Sequence, residues 1–185
     1  MPTNIKGAML TCILSDTLEF RSPTTTQEDT AIAHALANGK QALVLVPEIG
    51  LTPQTLRRFE QRFPGRVRSL HSGLSERQRW HNWQAAREGR ADIILGTRSA
   101  VFADLPRLGL VIVDEEHDSS YKQGEGFRYS GRDTAVYRAH LNNCPVILGS
   151  ATPSMESYQN ALSGKYRLVR LEERAGNAKP PTIKL

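Results

Sequence analysis

The chain has 185 residues, a formal net charge of +5 and two cysteines, Cys12 and Cys144, which lie far apart in the sequence. This length is typical of one domain with a buried core. No stretch approaches the roughly 18 apolar residues of a membrane span, the start of the chain lacks an export signal, and the cysteines are not in a zinc-like spacing. We therefore expect a cytoplasmic protein with reduced thiols, no zinc site and no membrane partner.

Arginine is concentrated in one part of the chain. Between Arg57 and Arg90 there are nine arginines against three glutamates, so the rest of the chain is close to neutral. Such a block favours binding to an anionic partner, for example the phosphates of a nucleic acid. A solvated helix face has a similar composition, so both interpretations stay open.

Predicted helices and strands alternate along the chain. After a possible strand at residues 9–14, a threonine at 25 or 26 can cap a helix that Gly39 ends. Thr52 with Pro53, and Ser75, mark the starts of two further helices. The pattern also predicts strands at 41–46, 67–70, 91–95, 110–113, 145–148 and 166–171, and helices at 132–142 and up to 162. This alternation predicts an α/β fold with a doubly wound, mostly parallel sheet.

An acidic run follows the buried strand at 110–113. It consists of Asp114, Glu115, Glu116 and His117, at the end of the strand where open α/β sheets bind their ligands. The first carboxylate can hold Mg²⁺ through water, and the second can polarise the water that attacks a phosphate. The alternative is an acidic turn without a catalytic function.

Three other predicted strands end in distinctive turns, which contain Pro47-Glu48, Thr97-Arg98 and Ser150-Ala151-Thr152. Because the carboxyl ends of parallel strands share one edge of the sheet, we expect these turns and Asp114-Glu115 to converge. In this order the four turns resemble motifs Ia, Ib, II (Walker B, here a DEEH box) and III of the first motor lobe of superfamily 2 helicases. The fold implied is a RecA-like P-loop NTPase lobe.

The run from Asp114 to Gln123 is more specific, and over residues 36–185 the chain resembles the primosomal protein N′ family of replication-restart helicases. The resemblance implies an ATP-dependent DNA helicase of the primosome, with ATP and Mg²⁺ as cofactors. It implies single-stranded or forked DNA as a partner, together with primosome and replication-restart proteins.

The resemblance also implies roles for individual residues. Asp114 would hold the Mg²⁺ ion of the nucleotide through water, and Glu115 would activate the hydrolytic water. His117, Ser150 and Thr152 would lie on the nucleotide side, and Ser150 and Thr152 would link the nucleotide state to the grip on DNA. Thr97 and Arg98 would contact DNA.

An aromatic and basic loop follows the acidic run. Tyr121, Phe127 and Tyr129 alternate with Lys122 and Arg128 on a glycine-containing segment. This composition predicts stacking on unpaired bases, and it resembles the aromatic-rich loop of the same helicases. The alternative is that the aromatic rings fold back into the core. On spacing alone, we expect Trp80 and Trp83 to be packing residues, and His71 to be a turn or buried histidine.

One part of the chain departs from the helicase pattern. The phosphate-binding loop Gly-x-x-x-x-Gly-Lys-Ser/Thr should fall at residues 18–25, where the sequence contains neither glycine nor lysine. We therefore divide the chain into a divergent segment 1–26, a helicase lobe 27–172 and a linker 173–185 towards a second lobe, and we expect residues 1–25 to pack poorly. The isolated chain is expected to be inactive. The alternative is a non-catalytic nucleic-acid-binding or interaction lobe, or the product of a damaged reading frame.

Overall fold

The computed structural model describes residues 10–15 and 27–171 of the chain. Within them the helices are α1 (Gln27–Ala37), α2 (Pro53–Arg62), α3 (Glu76–Arg87), α4 (Gly131–Leu141) and α5 (Met155–Leu162). The strands are β1 (Leu10–Ser15), β2 (Gln41–Leu45), β3 (Val67–Leu70), β4 (Ile93–Gly96), β5 (Leu108–Val113), β6 (Lys122–Gln123), β7 (Tyr129–Ser130), β8 (Val146–Gly149) and β9 (Arg167–Leu171). Short 3-10 turns follow β2, β4 and β5.

Seven strands form one parallel sheet in the order β3-β4-β2-β5-β8-β1-β9, and β6 and β7 form a separate antiparallel hairpin. The central strands β2, β4 and β8 are buried along their whole length. Continuous apolar runs of this kind are expected where helices cover both faces of a sheet. The predicted doubly wound α/β fold is therefore confirmed.

The side chains of each central strand alternate between two cores. Leu43 and Leu45 of β2 face a core that contains Ala85 of α3 and Ala135 of α4. On the opposite face, Ala42 and Val44 of β2 and the following Val46 pack in a second core with Ile32 of α1 and Phe59 of α2. The described loops that follow β2, β3, β4, β5 and β8 therefore emerge at one edge, between the two helical layers.

The expectation that residues 1–25 pack poorly is wrong for β1. This strand is hydrogen-bonded on both sides, with Leu10 in register with Val146 of β8 and Thr11 in register with Arg167 of β9. A strand between two partners satisfies its backbone groups on both edges. Residues 1–9, 16–26 and 172–185, which include the departure at 18–25 and the predicted linker, lie outside the described residues.

Helix starts agree well with the sequence signals. The Thr52 hydroxyl accepts a hydrogen bond from the backbone N–H of Thr55, as predicted for an N-cap. Ser75 and Gln78 form a complete capping box at the start of α3. Among the helices that the structure describes, none is long and apolar enough to cross a membrane.

Gln41 is a buried polar residue whose amide connects three parts of the fold. Its Nε2 donates to the carbonyls of Ala86 and Ala91 at 2.9 and 2.8 Å, and its Oε1 accepts from the N–H of Arg107 at 3.0 Å. The side chain is fully buried, so water cannot replace these bonds.

We expect Gln41→Leu to lower the free energy of unfolding by roughly 2–6 kcal/mol, because backbone groups would lose their partners inside the core. Urea denaturation measures the change. The matched control is Gln61→Leu, at an exposed position of α2, which should alter stability by less than about 0.5 kcal/mol. Equal effects of the two substitutions would contradict the structural importance of the Gln41 amide.

Candidate functional site

A cavity of about 340 Å³ lies where β2, β5 and β8 end. Its wall contains residues from all three loops, among them Pro47, Asp114, Glu115, His117 and Thr152. The carboxyl edge of a parallel sheet is the usual ligand site of open α/β folds. The structure thus brings the predicted motif II and motif III residues to one cavity.

Asp114 is held tightly at the end of β5. Its backbone carbonyl accepts a hydrogen bond from the Tyr121 hydroxyl at 2.7 Å, and its Oδ1 accepts from the Glu115 N–H at 3.1 Å. Burial, with the charges of Glu115 and Glu28, raises the pKa of the Asp114 carboxyl to about 7. A nearby cation would favour the ionised form of a carboxyl group in this environment.

Glu115 has a left-handed backbone, with φ of 45°. Few residues other than glycine adopt this conformation, and it is common at functional sites. The turn allows the side chains of Asp114 and Glu115 to reach the same cavity although they are adjacent in sequence. Glu115 Oε2 lies 3.4 Å from His117 Nδ1, so the histidine also limits its position.

His117 connects the acidic run to the loop after β8. Its Nδ1 lies 2.6 Å from the Ser150 hydroxyl, and its Nε2 lies 3.5 Å from the Thr152 hydroxyl. Ser150 Oγ also accepts the N–H of Thr152 at 3.0 Å. Ser150 is buried, whereas Thr152 faces the cavity. A displacement of either loop therefore alters hydrogen bonds made by the other.

Glu116 is a functional candidate that the sequence analysis did not single out. Its buried carboxylate accepts from Arg132 Nη1, the Ser154 N–H, the Ser154 hydroxyl and the Ser157 hydroxyl at 2.6–3.1 Å. Its own N–H donates to the Gly149 carbonyl. These donors satisfy the oxygens of a carboxylate that water cannot reach. Glu116 thereby fixes α4 and the start of α5 against the acidic run.

The acidic residues can contribute to binding Mg²⁺ together with a substrate phosphate. They do not supply a full set of protein ligands for the ion. Among the described residues there is no group of three or more His, Cys, Asp or Glu side chains that could hold a metal ion. Mg²⁺ commonly takes one or two carboxylates and completes its shell with water and substrate phosphates. Asp114 and Glu115, both at the cavity, fit that arrangement.

The predicted DNA-side residues Thr97 and Arg98 lie after β4, where Thr97 is buried and the Arg98 guanidinium is hydrogen-bonded within the protein. Thr97 is only 5% exposed, so its side chain is not available for the predicted contact. Arg98 Nη1 donates to the carbonyls of Ser120 and Lys122 at 2.6 and 3.3 Å. The guanidinium group therefore secures the start of the aromatic loop.

The aromatic loop divides into a buried and an exposed part. Tyr121 is only 2% exposed and belongs to the core, so its assignment as a base-stacking residue is wrong. Phe127 is 79% exposed, and its ring centroid lies 6.0 Å from that of Tyr129. Lys122 and Arg128 are exposed beside them. Stacking on bases is thus possible for Phe127 and Tyr129 but not for Tyr121.

The tryptophans differ from the expectation that both are packing residues. Trp80 is 59% exposed on α3, while the buried residues of that helix are Ala85 and Ala86. Spacing of three along a helix places two side chains on one face but does not tell which face meets the core. His71 follows β3 in a turn and is partly buried, in agreement with expectation.

A family model described as DEAD/DEAH box helicase matches residues 24–161 of the chain. The chain is 52% identical over 147 residues to the replication restart protein PriA of Haemophilus influenzae, and 46% identical over 155 residues to that of Bacillus subtilis. These alignments cover 80% and 84% of this chain but 20% and 19% of the relatives. The chain thus spans about a fifth of the length of the curated relatives it matches.

Solved structures give the same fold. RecG bound to a three-way DNA junction superposes with a TM-score of 0.66 at 22% identity, over 93% of this chain and 22% of that one. The helicase domain of Pyrococcus furiosus Hef superposes with a TM-score of 0.55 at 19% identity, over 88% of this chain and 35% of that one. At such identities the similarity concerns the fold alone.

Proposed function

Because the chain belongs to the DEAD/DEAH box helicase family, we propose that it forms part of the first motor lobe of a PriA-type DNA helicase, which couples ATP hydrolysis to DNA unwinding in replication restart. The observation that carries the proposal is the single cavity that Asp114, Glu115, His117 and Thr152 share at the carboxyl edge of the sheet. The similarity to PriA proteins over four fifths of the chain supports it.

The residues at the cavity have complementary tasks in this proposal. ATP would supply the phosphoryl group that is transferred to water, and Mg²⁺ would stabilise its negative charge. Asp114 would orient water in the shell of the cation, and the adjacent Glu115 would accept a proton from the attacking water. The left-handed backbone at Glu115 supports this division, because it allows two consecutive carboxylates to face one volume.

The loop after β8 would respond to what the acidic run holds. His117 contacts Ser150 directly, and Glu116 holds Ser154 and Ser157. Ser150 and Thr152 would therefore move with His117 when a nucleotide is bound or released. This link supports the proposed coupling between the nucleotide state and the grip on DNA.

The DNA side of the lobe would be formed by the exposed part of the aromatic loop. Phe127 and Tyr129 would stack on unpaired bases, and Lys122, Arg128 and the arginine block at 57–90 would attract phosphates. Arg98 would act mainly by holding the loop. Single-stranded or forked DNA, primosome proteins as partners and a cytoplasmic location are part of the same proposal.

A nucleotide titration distinguishes this proposal from a non-catalytic nucleic-acid-binding lobe, which the lack of glycine and lysine at residues 18–25 favours. Calorimetry with Mg²⁺-ATP should detect weak binding that Asp114→Asn abolishes. The control is Glu125→Gln, which also removes one negative charge but at an exposed position. Absence of binding at millimolar ATP, with DNA binding intact, would favour the non-catalytic lobe.

Single-stranded DNA should bind weakly and with clear salt dependence. If about four phosphates are engaged, the slope of log K against log salt should be near −3. Phe127→Ala should weaken binding by roughly 5- to 150-fold, because loss of one stacked base costs about 1–3 kcal/mol.

Fluorescence anisotropy of a labelled oligothymidylate measures both quantities. Tyr137→Ala is the matched control, since Tyr137 is a similarly exposed aromatic residue on α4. A slope near zero would indicate that the arginine block is a solvated face, and an unchanged affinity in Phe127→Ala would remove that ring from the DNA contact.

A further inference from the structure

A tryptophan pair lies on the outer face of α3, outside the site described above. Trp80 is 59% exposed and stacks on Trp83, with ring centroids 5.5 Å apart and an interplanar angle of 20°. The Arg87 guanidinium lies over the Trp83 ring at 5.6 Å. Trp83 is therefore covered by Arg87 and Trp80, whereas Trp80 offers a large ring surface to solvent.

The pair borders a cavity that leads towards the aromatic loop. This cavity of about 300 Å³ lies between α3 and the turn after β4, and Trp83, Arg79, His71 and Phe102 contribute to its wall. Its volume is at the lower end of the range for ligand sites, roughly 300–1,000 Å³.

Phe102 continues this surface on the far side of the cavity. Its ring makes an edge-to-face contact with Tyr129 at 5.0 Å, and Tyr129 contacts Phe127. Phe102 is itself more than half exposed. Aromatic rings thus extend from Trp80, across the cavity, to Phe127.

The charges around the cavity favour an anionic chain over an apolar protein segment. Arg77 and Arg79 are exposed on α3, and within the described residues neither makes an ion pair with a carboxylate. Arg87 and Arg90 are paired with Asp104 and Glu88 respectively. Two uncompensated cations beside an exposed indole ring match a phosphate backbone with unstacked bases.

We propose that Trp80, with the cavity between Trp83 and Phe102, is a second base-stacking site for single-stranded nucleic acid, continuous with Phe127 and Tyr129. The proposal rests on the proposed function and deepens it. It extends the nucleic-acid path from the aromatic loop to α3 and gives Arg77 and Arg79 the task of binding phosphates.

The chain contains two tryptophans, so its intrinsic tryptophan fluorescence reports on this site directly. The experiment titrates the full chain with an oligothymidylate of about 15 nucleotides, while anisotropy of a labelled copy reports total binding. Bound thymines should quench the emission. Trp80→Ala should lower the affinity by roughly 5- to 150-fold, and Trp80→Phe should retain it within about threefold.

Trp80→Phe also leaves Trp83 as the single reporter at the cavity, and its emission should still fall when DNA binds. Circular dichroism of each variant verifies the fold, which a change at an exposed ring should preserve. Tyr137→Ala again serves as the control.

Three results would overturn the inference. If Phe127→Ala weakens binding but Trp80→Ala stays within twofold of wild type, the second site fails while the proposed function stands. If anisotropy detects no DNA binding at all, both fail. If the emission changes with protein concentration in the absence of DNA, and not on adding DNA, a second copy of the chain covers Trp80 instead.

Discussion

The purified chain is expected to release no phosphate from ATP above background, with or without single-stranded DNA. Asp114 and Glu115 can orient a cation and a water molecule, but both act on a phosphate that another part of the protein must hold. In phosphoryl transfer, positioning supplies much of the rate, and the usual phosphate cradle is a glycine-rich loop with a lysine. Residues 18–25, where this loop should fall, contain neither.

A coupled phosphate-release assay tests this prediction, with Glu115→Gln as the control. The substitution removes the candidate base and retains a similar shape, so residual signal in both proteins measures contamination. Hydrolysis by the wild type that disappears in Glu115→Gln would contradict the prediction. It would mean that this chain binds the phosphates without glycine or lysine in residues 18–25.

Asp114→Asn should stabilise the fold at high pH. The ordinary pKa of an aspartate is 3.8, and burial beside Glu115 and Glu28 raises the pKa of Asp114 to about 7. Between these values the unfolded chain loses this proton while the folded chain keeps it, so the folded state binds more protons and its stability falls as the pH rises. The stability that comes from the protonated Asp114 carboxyl is fully present below about pH 4 and fully lost above about pH 7.

The loss would reach about 4 kcal/mol for a fully buried group, and partial exposure of Asp114 reduces it to roughly 2–4 kcal/mol. Urea denaturation at about pH 5 and about pH 8 measures it. The gain in Asp114→Asn should be larger at the higher pH, whereas Glu125→Gln, at an exposed position, should give little change at either. A gain that does not depend on pH would show that Asp114 is ionised throughout.

The architecture followed from strong, local sequence signals. Residues 110–113 form a continuous apolar run, and the capping signals at Thr52 and Ser75 start helices where the structure places them. The helicase resemblance that these strands and their turns predicted is confirmed by the family match over residues 24–161. The position of these turns along one edge could be predicted from the parallel direction of the strands alone.

Side-chain orientation in the loops was not predictable in the same way. Tyr121 lies in a 3-10 turn, where neither helical nor strand periodicity indicates a buried face, and its burial depends on Asp114, seven residues earlier. The sequence did not distinguish Glu116 from the other acids of the run, because its partners Arg132, Ser154 and Ser157 are distant in sequence. Such contacts arise only when the strands are assembled.

The position of β1 constrains how the chain can fold during synthesis. Its two neighbours, β8 and β9, are made last among the described strands, so β1 must wait for most of the chain before it can form its ladder. Strands β2 to β5 can pair earlier, since β2 lies between β4 and β5. Pairing between such distant segments is slow, and an unpaired strand invites association with other chains. A nascent chain that has reached β5 therefore has a nearly complete half-sheet, while β1, the first of the described strands, still lacks both partners.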